Sequence, residues 1–270
     1  MLTSRNIPLD KISKDLRRMI IEISFKNKAH HIGSSLSCVD ILTCLYFQIM
    51  NIDPNNLENK DWFLLSKGHA ALSQYVVLAK LGLFTEKELS DDFLSDGGRF
   101  GAHPESSNIP GIEISSGSLG HGLSITAGVA LAAKKDRKTM KAYVLLGDGE
   151  CNEGMIWEAA MFAGHHKLDN LVAIIDYNKL QGFGRVDEIL NLEPLNDKFK
   201  SFGWGVKDID GHNFIEIVET LQSTPLEKNK PSLIIANTIK GKGISFFENK
   251  FESHYEILNE KNYKIALKEL

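Results

Sequence analysis

Cysteine is scarce in this chain, and its spacing excludes two common uses of the residue. The 270 residues include 3 cysteines, Cys38, Cys44 and Cys151, and none of them forms a Cys-x-x-Cys pair. An odd set without metal-ligand spacing argues against a structural zinc site and against a disulfide framework. Because free thiols persist mainly in reducing compartments, we expect a cytoplasmic protein.

Long apolar segments and an excess of basic residues are also missing. No run approaches the roughly 18 apolar residues that a membrane-spanning helix needs. Residues 1–15 mix charged and isolated apolar side chains, so no secretory signal is expected. The 31 basic and 35 acidic residues give a formal net charge of −4, whereas nucleic-acid binding usually leaves a basic face. We therefore expect neither a membrane nor a nucleic acid as a partner.

The apolar residues that are present fall into alternating short and long segments. Short apolar runs predict strands at residues 62–66, 112–116, 142–147, 171–176, 204–210 and 232–238. Apolar residues at three- and four-residue steps predict helices at residues 9–23, 69–81, 123–135, 154–167 and 213–222. Thr85 and Glu88 form a capping-box pattern that predicts the start of a further helix.

Several of these short runs are almost unbroken, which is typical of strands that are covered on both faces. Alternation of such strands with helices predicts an α/β fold, a mostly parallel sheet with helices on both faces. No repeat or long linker divides the chain, so we expect one domain over residues 1–270, with a loop at 225–231 and a peripheral tail at 246–270. In sheets of this kind, ligands bind beyond the carboxyl ends of the strands.

Two oxygen-bearing side chains follow consecutive predicted strands. Asp148 lies in Gly-Asp-Gly-Glu directly after one strand, and Asn178 follows the next strand 30 positions later. Because both strands of a right-handed βαβ unit point the same way, the two side chains are expected at one edge of the sheet. Together they suit a Mg²⁺ ion that keeps positions open for a diphosphate, which backbone amides at Gly147 and Gly149 could approach. An Asp-Gly turn and a loop-capping Asn are the plainer alternative. No GxGxxG follows this strand, and the chain has no GxxxxGK, so neither common nucleotide motif applies.

The motifs around this segment resemble transketolase, a thiamine-diphosphate enzyme, in order and spacing over nearly the whole chain. The matching elements, besides the one with Asp148 and Asn178, are Ala29-His30-His31-Ile32-Gly33, Leu65-Ser66-Lys67-Gly68-His69-Ala70, Gly101-Ala102-His103-Pro104-Glu105, Gly117-Ser118-Leu119-Gly120-His121-Gly122, and Ile239-Lys240-Gly241-Lys242-Gly243 with His254.

The resemblance implies an activity, a cofactor set and a partner. The activity is transfer of a two-carbon ketol unit from a ketose, or its phosphate, to an aldose or its phosphate. The cofactors are thiamine diphosphate and Mg²⁺, for which Ca²⁺ or Mn²⁺ can substitute. A complete transketolase subunit has about 600 residues in several domains, and this chain resembles only the diphosphate-binding one. It therefore resembles the N-terminal subunit of a split transketolase, whose partner chain supplies the pyrimidine-binding domain, in an α2β2 assembly.

The resemblance also implies roles for individual residues. The implied metal ligands are Asp148, Asn178 and the backbone oxygen of Leu180. The implied cofactor contacts are His69, Gly117, Leu119, Gly147, Asp148, Gly149, Glu150, Asn178 and His254. The implied catalytic residues are His31, His69, His103 and His254, because imidazoles can donate to, accept from and exchange protons with sugar hydroxyls near neutral pH. His30, His165, His166 and His212 are interpreted as structural.

Other readings of the same motifs remain open at this point. An α-type subunit of a 2-oxo acid dehydrogenase, or a deoxyxylulose-phosphate synthase fragment, would share the metal motif. The contexts of His69 and His103 favour a substrate with a row of hydroxyls over an oxo acid. A non-catalytic, partner-binding subunit is the alternative from a different class, and it would need none of these histidines.

Overall fold

The computed structural model describes residues 8–52, 60–106 and 109–270, and in them five strands form one parallel sheet. The strands are β1 Trp62–Leu65, β2 Ala142–Gly147, β3 Leu171–Tyr177, β4 Gly205–Asp210 and β5 Ser232–Asn237. Their order across the sheet is β1-β2-β3-β5-β4, and every neighbouring pair is parallel. The predicted α/β fold is confirmed.

The helices cover both faces of the sheet. They are α1 Leu9–Lys26, α2 Ile32–Ser37, α3 Val39–Cys44, α4 Ala71–Lys80, α5 Glu86–Asp92, α6 His121–Lys135, α7 Gly154–His165, α8 Val186–Ile189, α9 Leu195–Ser201, α10 Phe214–Gln222 and α11 Glu260–Glu269. Within the part of the chain that the structure describes, none of the helices combines the length and the apolar character of a membrane span.

Alternate residues of the strands enter two separate hydrophobic cores. Tyr143 and Leu145 of β2 pack in the core formed with α1, α3 and α4. Val144 and Leu146 pack in the core formed with α6 and α7. Each strand must be apolar at nearly every position because both of its faces are buried, which explains the unbroken runs in the sequence.

The strand predicted at residues 112–116 is wrong. Ile112 is buried and Ile114 partly buried, but the segment is irregular and pairs with no strand of the sheet. The apolar residues alternate with polar ones, which imitates a half-buried strand. Gly111, with φ of 87°, starts the segment in a conformation that ends regular pairing, and Ser116 bonds back to the carbonyl oxygen of Pro104.

The sequence pattern did not reveal the helical segment that contains α2 and α3. Every residue of these two helices is buried, including three serines of α2 and Asp40 of α3. A helix that is buried all round shows no apolar stripe, so periodicity cannot identify it. The segment matters because it carries His31 and Ser34 to the carboxyl edge of the sheet.

The capping box at the start of α5 is confirmed and provides a test of the local structure. The Thr85 hydroxyl accepts a hydrogen bond from the backbone N–H of Glu88 (3.1 Å), and the Glu88 carboxylate accepts one from that of Thr85 (2.7 Å). We predict that Thr85→Ala lowers the free energy of unfolding by about 1 kcal/mol, measured by urea denaturation. Thr139→Ala, at an exposed loop position, is the control. Equal stability of the two variants would contradict the cap.

Candidate active site

The predicted metal ligands lie together at the carboxyl edge of the sheet. Asp148 directly follows β2 and Asn178 directly follows β3, and these strands are paired, with Gly147 opposite Asp176. Both side chains are buried, Asp148 to 3% exposure. The Asp148 carboxylate accepts hydrogen bonds from the backbone N–H groups of Gly149 (2.7 Å) and Lys179 (2.5 Å). The side chain therefore contacts the backbone next to Asn178.

The amide of Asn178 has a defined orientation. Its oxygen accepts a hydrogen bond from the N–H of Leu180 (3.1 Å), and its nitrogen faces the Asp176 carboxylate at 3.4 Å. The carbonyl oxygen of Leu180 accepts a hydrogen bond from the Lys240 ammonium at 3.2 Å. Three oxygens of the types that hard cations prefer, from a carboxylate, an amide and a peptide, therefore occur within one connected set of contacts. The described residues contain no group of three or more His, Cys, Asp or Glu side chains that could hold a metal.

Two charges at this edge have no counter-ion among the described residues. Burial, together with the neighbouring Asp176, raises the pKa of Asp148 to about 6. Burial, together with the neighbouring Lys67, lowers the pKa of Lys240 to about 8. A buried carboxylate is stabilised by a cation, and a buried ammonium by an anion. A divalent cation bound to a diphosphate would supply both, so these residues fit the cofactor.

A second lysine and carboxylate, by contrast, are fully paired. Lys67 forms a buried ion pair with Asp176 and donates a hydrogen bond to the carbonyl oxygen of Ser34 (3.0 Å). Asp176 also accepts hydrogen bonds from the hydroxyls of Ser37 and Thr238. Although burial alone would raise the pKa of Asp176, the adjacent Lys67 ammonium lowers it overall. This pair joins β1, β3, α2 and the end of β5 beneath the site, and the sequence analysis did not identify it.

The four histidines predicted to be catalytic form one cluster. The ring of His31 lies 4.8 Å from that of His254, 5.6 Å from that of His69 and 6.1 Å from that of His103, measured between centroids. His31 adopts a left-handed conformation (φ 62°) directly before α2, and its N–H donates to the carbonyl oxygen of His254 at 2.9 Å. The structure thus brings together four residues that are far apart in the sequence.

Three of these imidazoles are neutral at pH 7. Burial, followed by the charges of neighbouring histidines and Lys240, lowers the pKa of His31 to about 4. Burial and the Lys240 ammonium lower the pKa of His254 to about 3, and burial and Lys67 lower the pKa of His69 well below its usual value. Each of these three rings can therefore donate one hydrogen bond and accept another, which suits recognition of sugar hydroxyls.

The contact with Lys240 also defines the tautomer of His254. Nδ1 of His254 lies 3.4 Å from the Lys240 ammonium and 3.2 Å from the hydroxyl of Ser34. Because an ammonium only donates, we assign Nδ1 as the acceptor, which places the proton on Nε2. Nε2 is then the nitrogen of His254 that can donate to a substrate.

The glycine-rich turn at residues 117–122 approaches the histidines closely. Gly117 has φ of 132°, and a Cβ atom there would lie 2.8 Å from the His103 ring. A Cβ atom on Gly68, next to His69, would lie 2.6 Å from the backbone nitrogen of Gly117. Only glycine permits these contacts. Leu119, a predicted cofactor contact, is partly exposed within this turn.

Glu150 connects this turn to the end of β2. Its buried carboxylate accepts hydrogen bonds from the Ser66 hydroxyl and from the N–H groups of Gly120 (2.9 Å) and Gly147 (3.1 Å). All the partners of Glu150 are internal, so what the structure shows is that Glu150 holds the turn. Its contact with the cofactor remains a prediction, as does that of Gly149, which begins the short helical turn Gly149–Asn152.

The remaining histidines lie outside the cluster or at its margin. His30 is exposed and contacts the carbonyl oxygen of Tyr255 at 2.6 Å. His121 contacts the carbonyl oxygen of Ser118 at 3.1 Å. His165 and His166 lie at the end of α7.

Comparison with known proteins agrees with this geometry. Residues 10–270 match the family described as "Transketolase, thiamine diphosphate binding domain". One of the two apulose-4-phosphate transketolase subunits, that of Phocaeicola vulgatus, is 42% identical, over 97% of this chain and 93% of its own length. The 6-deoxy-6-sulfo-D-fructose transketolase subunit of Clostridium sp. (strain MSTE9) is 43% identical, over 100% of this chain and 98% of its own length.

Solved structures give the same family. The crystal structure of transketolase from Campylobacter jejuni superposes with a TM-score of 0.89 and 32% identity, over 96% of this chain and 42% of that chain. This chain thus spans about two fifths of the length of that transketolase. The resemblance read from the motifs is confirmed: the chain belongs to the transketolase family, as a thiamine-diphosphate-binding domain of that family.

Proposed function

We propose that this chain is the N-terminal subunit of a two-chain transketolase that uses Mg²⁺ and thiamine diphosphate. The observation that carries the proposal is the pair of buried, uncompensated charges at the carboxyl edge, Asp148 and Lys240. Asp148, the Asn178 amide oxygen and the Leu180 carbonyl oxygen would hold the cation, and Lys240 would face the diphosphate oxygens. The glycine-lined approach at residues 117 and 149 leaves backbone N–H groups near the same edge.

The histidine cluster supplies the second part of the argument. When bound, thiamine diphosphate provides an electron sink for the two-carbon unit that is transferred. The rings of His31 and His103 would bind hydroxyls of the sugar donor and accept or return a proton. Nε2 of His254 would donate a hydrogen bond to a sugar oxygen. The proposed reaction is ketol transfer between a ketose and an aldose, free or phosphorylated.

The dependence on a partner chain is also part of the proposal. Two relatives of similar length are named subunits, and the Campylobacter transketolase is more than twice as long. Large apolar side chains are exposed on α7 and on the segment after β3, namely Met161, Phe162, Phe183, Ile189 and Leu190. Such a group of exposed apolar residues commonly marks an interface. We assign it to the chain that would carry the pyrimidine-binding domain, in an α2β2 assembly in the cytoplasm.

The first prediction concerns the metal ligand. Asp148→Asn keeps the shape of the side chain but removes its charge, so we expect the affinity of the assembled enzyme for thiamine diphosphate with Mg²⁺ to fall by about 100-fold. Isothermal titration calorimetry measures this, and Asp136→Asn, at the exposed end of α6, is the matched control. If both variants bind like the wild type, the ligand assignment is wrong.

The second prediction concerns the half-site. The purified chain with Mg²⁺ and thiamine diphosphate should show no ketol transfer from any ketose donor, because the proposed partner supplies the remainder of the site. Turnover should begin when the partner chain is added at equimolar concentration. Measurable turnover by the chain alone would refute the split-enzyme proposal.

The third prediction tests the apolar surface. Phe162→Glu places a charge on the exposed face of α7 and should weaken the complex with the partner chain by about tenfold or more, because interface aromatics commonly contribute over 1 kcal/mol. Ile215→Glu, on the exposed side of α10, is the matched control and should bind the partner normally. Analytical ultracentrifugation distinguishes the outcomes, and equal association of both variants would show that α7 lies outside the interface.

A further inference from the structure

A buried polar network connects α1 and α3 with the loop that follows β4. At its centre is Asp40 of α3, which is 3% exposed. Arg17 donates to both oxygens of this carboxylate at 2.8 Å, and His212 contacts one of them through Nδ1, also at 2.8 Å. Although burial alone would raise the pKa of Asp40, hydrogen bonds from His212 and Arg17 hold it well below its usual range. The carboxylate is therefore ionised and fully partnered.

The same network holds the segment after β5 by its backbone. The N–H of Ile239 donates to Nε2 of His212 at 2.9 Å, and Nε of Arg17 donates to the carbonyl oxygen of Lys242 at 3.0 Å. Because Nε2 accepts from Ile239, the proton of a neutral His212 lies on Nδ1, which then donates to Asp40. The network thus grips the chain on both sides of Lys240.

The consequence is the position of the Lys240 ammonium. β5 ends at Asn237, so the segment that contains Lys240 has no sheet partner to fix its direction. Its side chain nevertheless runs through the interior, 2% exposed, to reach the Leu180 carbonyl oxygen. A small rotation of the backbone at Ile239 would move the ammonium out of reach, because the displacement grows along a long side chain.

We propose that Asp40, Arg17 and His212 are positioning residues that fix Ile239–Lys242 so that Lys240 faces the diphosphate. This inference rests on the proposed function, and it revises the purely structural reading of His212. Replacing a buried ion pair often changes stability little, whereas such pairs can specify one conformation. The network's effect should therefore appear in the geometry of this segment more than in global stability.

Two substitutions of His212 separate its two hydrogen bonds. His212→Gln can keep an acceptor near the Nε2 position, where the Ile239 N–H donates. His212→Asn can keep a donor near the Nδ1 position, facing Asp40, but leaves the Ile239 N–H without its acceptor. Tyr46→Phe, which removes the buried hydrogen bond between Gln74 and Tyr46 in the same helical layer, is the control for losing a buried hydrogen bond elsewhere.

The first measurement is hydrogen exchange of the backbone amides at residues 239–242 in the full chain, without cofactor. We expect exchange in His212→Asn to be faster by about tenfold or more, with His212→Gln and Tyr46→Phe close to wild type. The second is calorimetry of the assembled enzyme with thiamine diphosphate and Mg²⁺, where only His212→Asn should weaken binding, again by about tenfold.

Unchanged exchange in His212→Asn, or an equal effect of all three variants on affinity, would overturn the positioning role. Failure of the wild-type assembly to bind thiamine diphosphate would instead refute the proposed function, and the exchange experiment would still judge the network by itself.

Discussion

The buried charge at the carboxyl edge of the sheet is the constraint on which the rest of the site depends. Lys67 and Asp176 satisfy each other within the protein, whereas Asp148 and Lys240 have no counter-ion among the described residues. Unpaired charges in a protein interior are costly and are retained mainly where a ligand completes them. The pattern of one cation-seeking and one anion-seeking group at a single edge therefore points to a metal-bound diphosphate more directly than either residue alone.

The histidine cluster depends on the same charges and on unusual backbone geometry. The ammonium groups of Lys67 and Lys240 help to keep His69 and His254 neutral, which preserves their ability to accept as well as donate. Close approach of the loops that carry the rings requires glycine at positions 68 and 117. The anchor for the diphosphate and the groups that would bind the sugar are thus parts of one electrostatic arrangement.

Much of this arrangement could be predicted from the sequence, because its main signals are local. Unbroken apolar runs indicated the parallel sheet, and the spacing of Asp148 and Asn178 within one βαβ unit placed them at one edge. The residues that were missed act through distant partners: Lys67 and Asp176 are 109 positions apart, and Asp40 and His212 are 172 apart. The wrong strand at 112–116 had the right periodicity but no neighbour to pair with, which only the tertiary structure reveals.

The most direct test of the central claim is a crystal structure of the assembled enzyme with Mn²⁺ and thiamine diphosphate, in which anomalous scattering locates the metal. The account predicts one Mn²⁺ ion bound by Asp148, Asn178 and the carbonyl oxygen of Leu180, at about 2.1–2.2 Å, with the diphosphate beside Lys240. A metal bound elsewhere, or a diphosphate that leaves Lys240 without a contact, would contradict it.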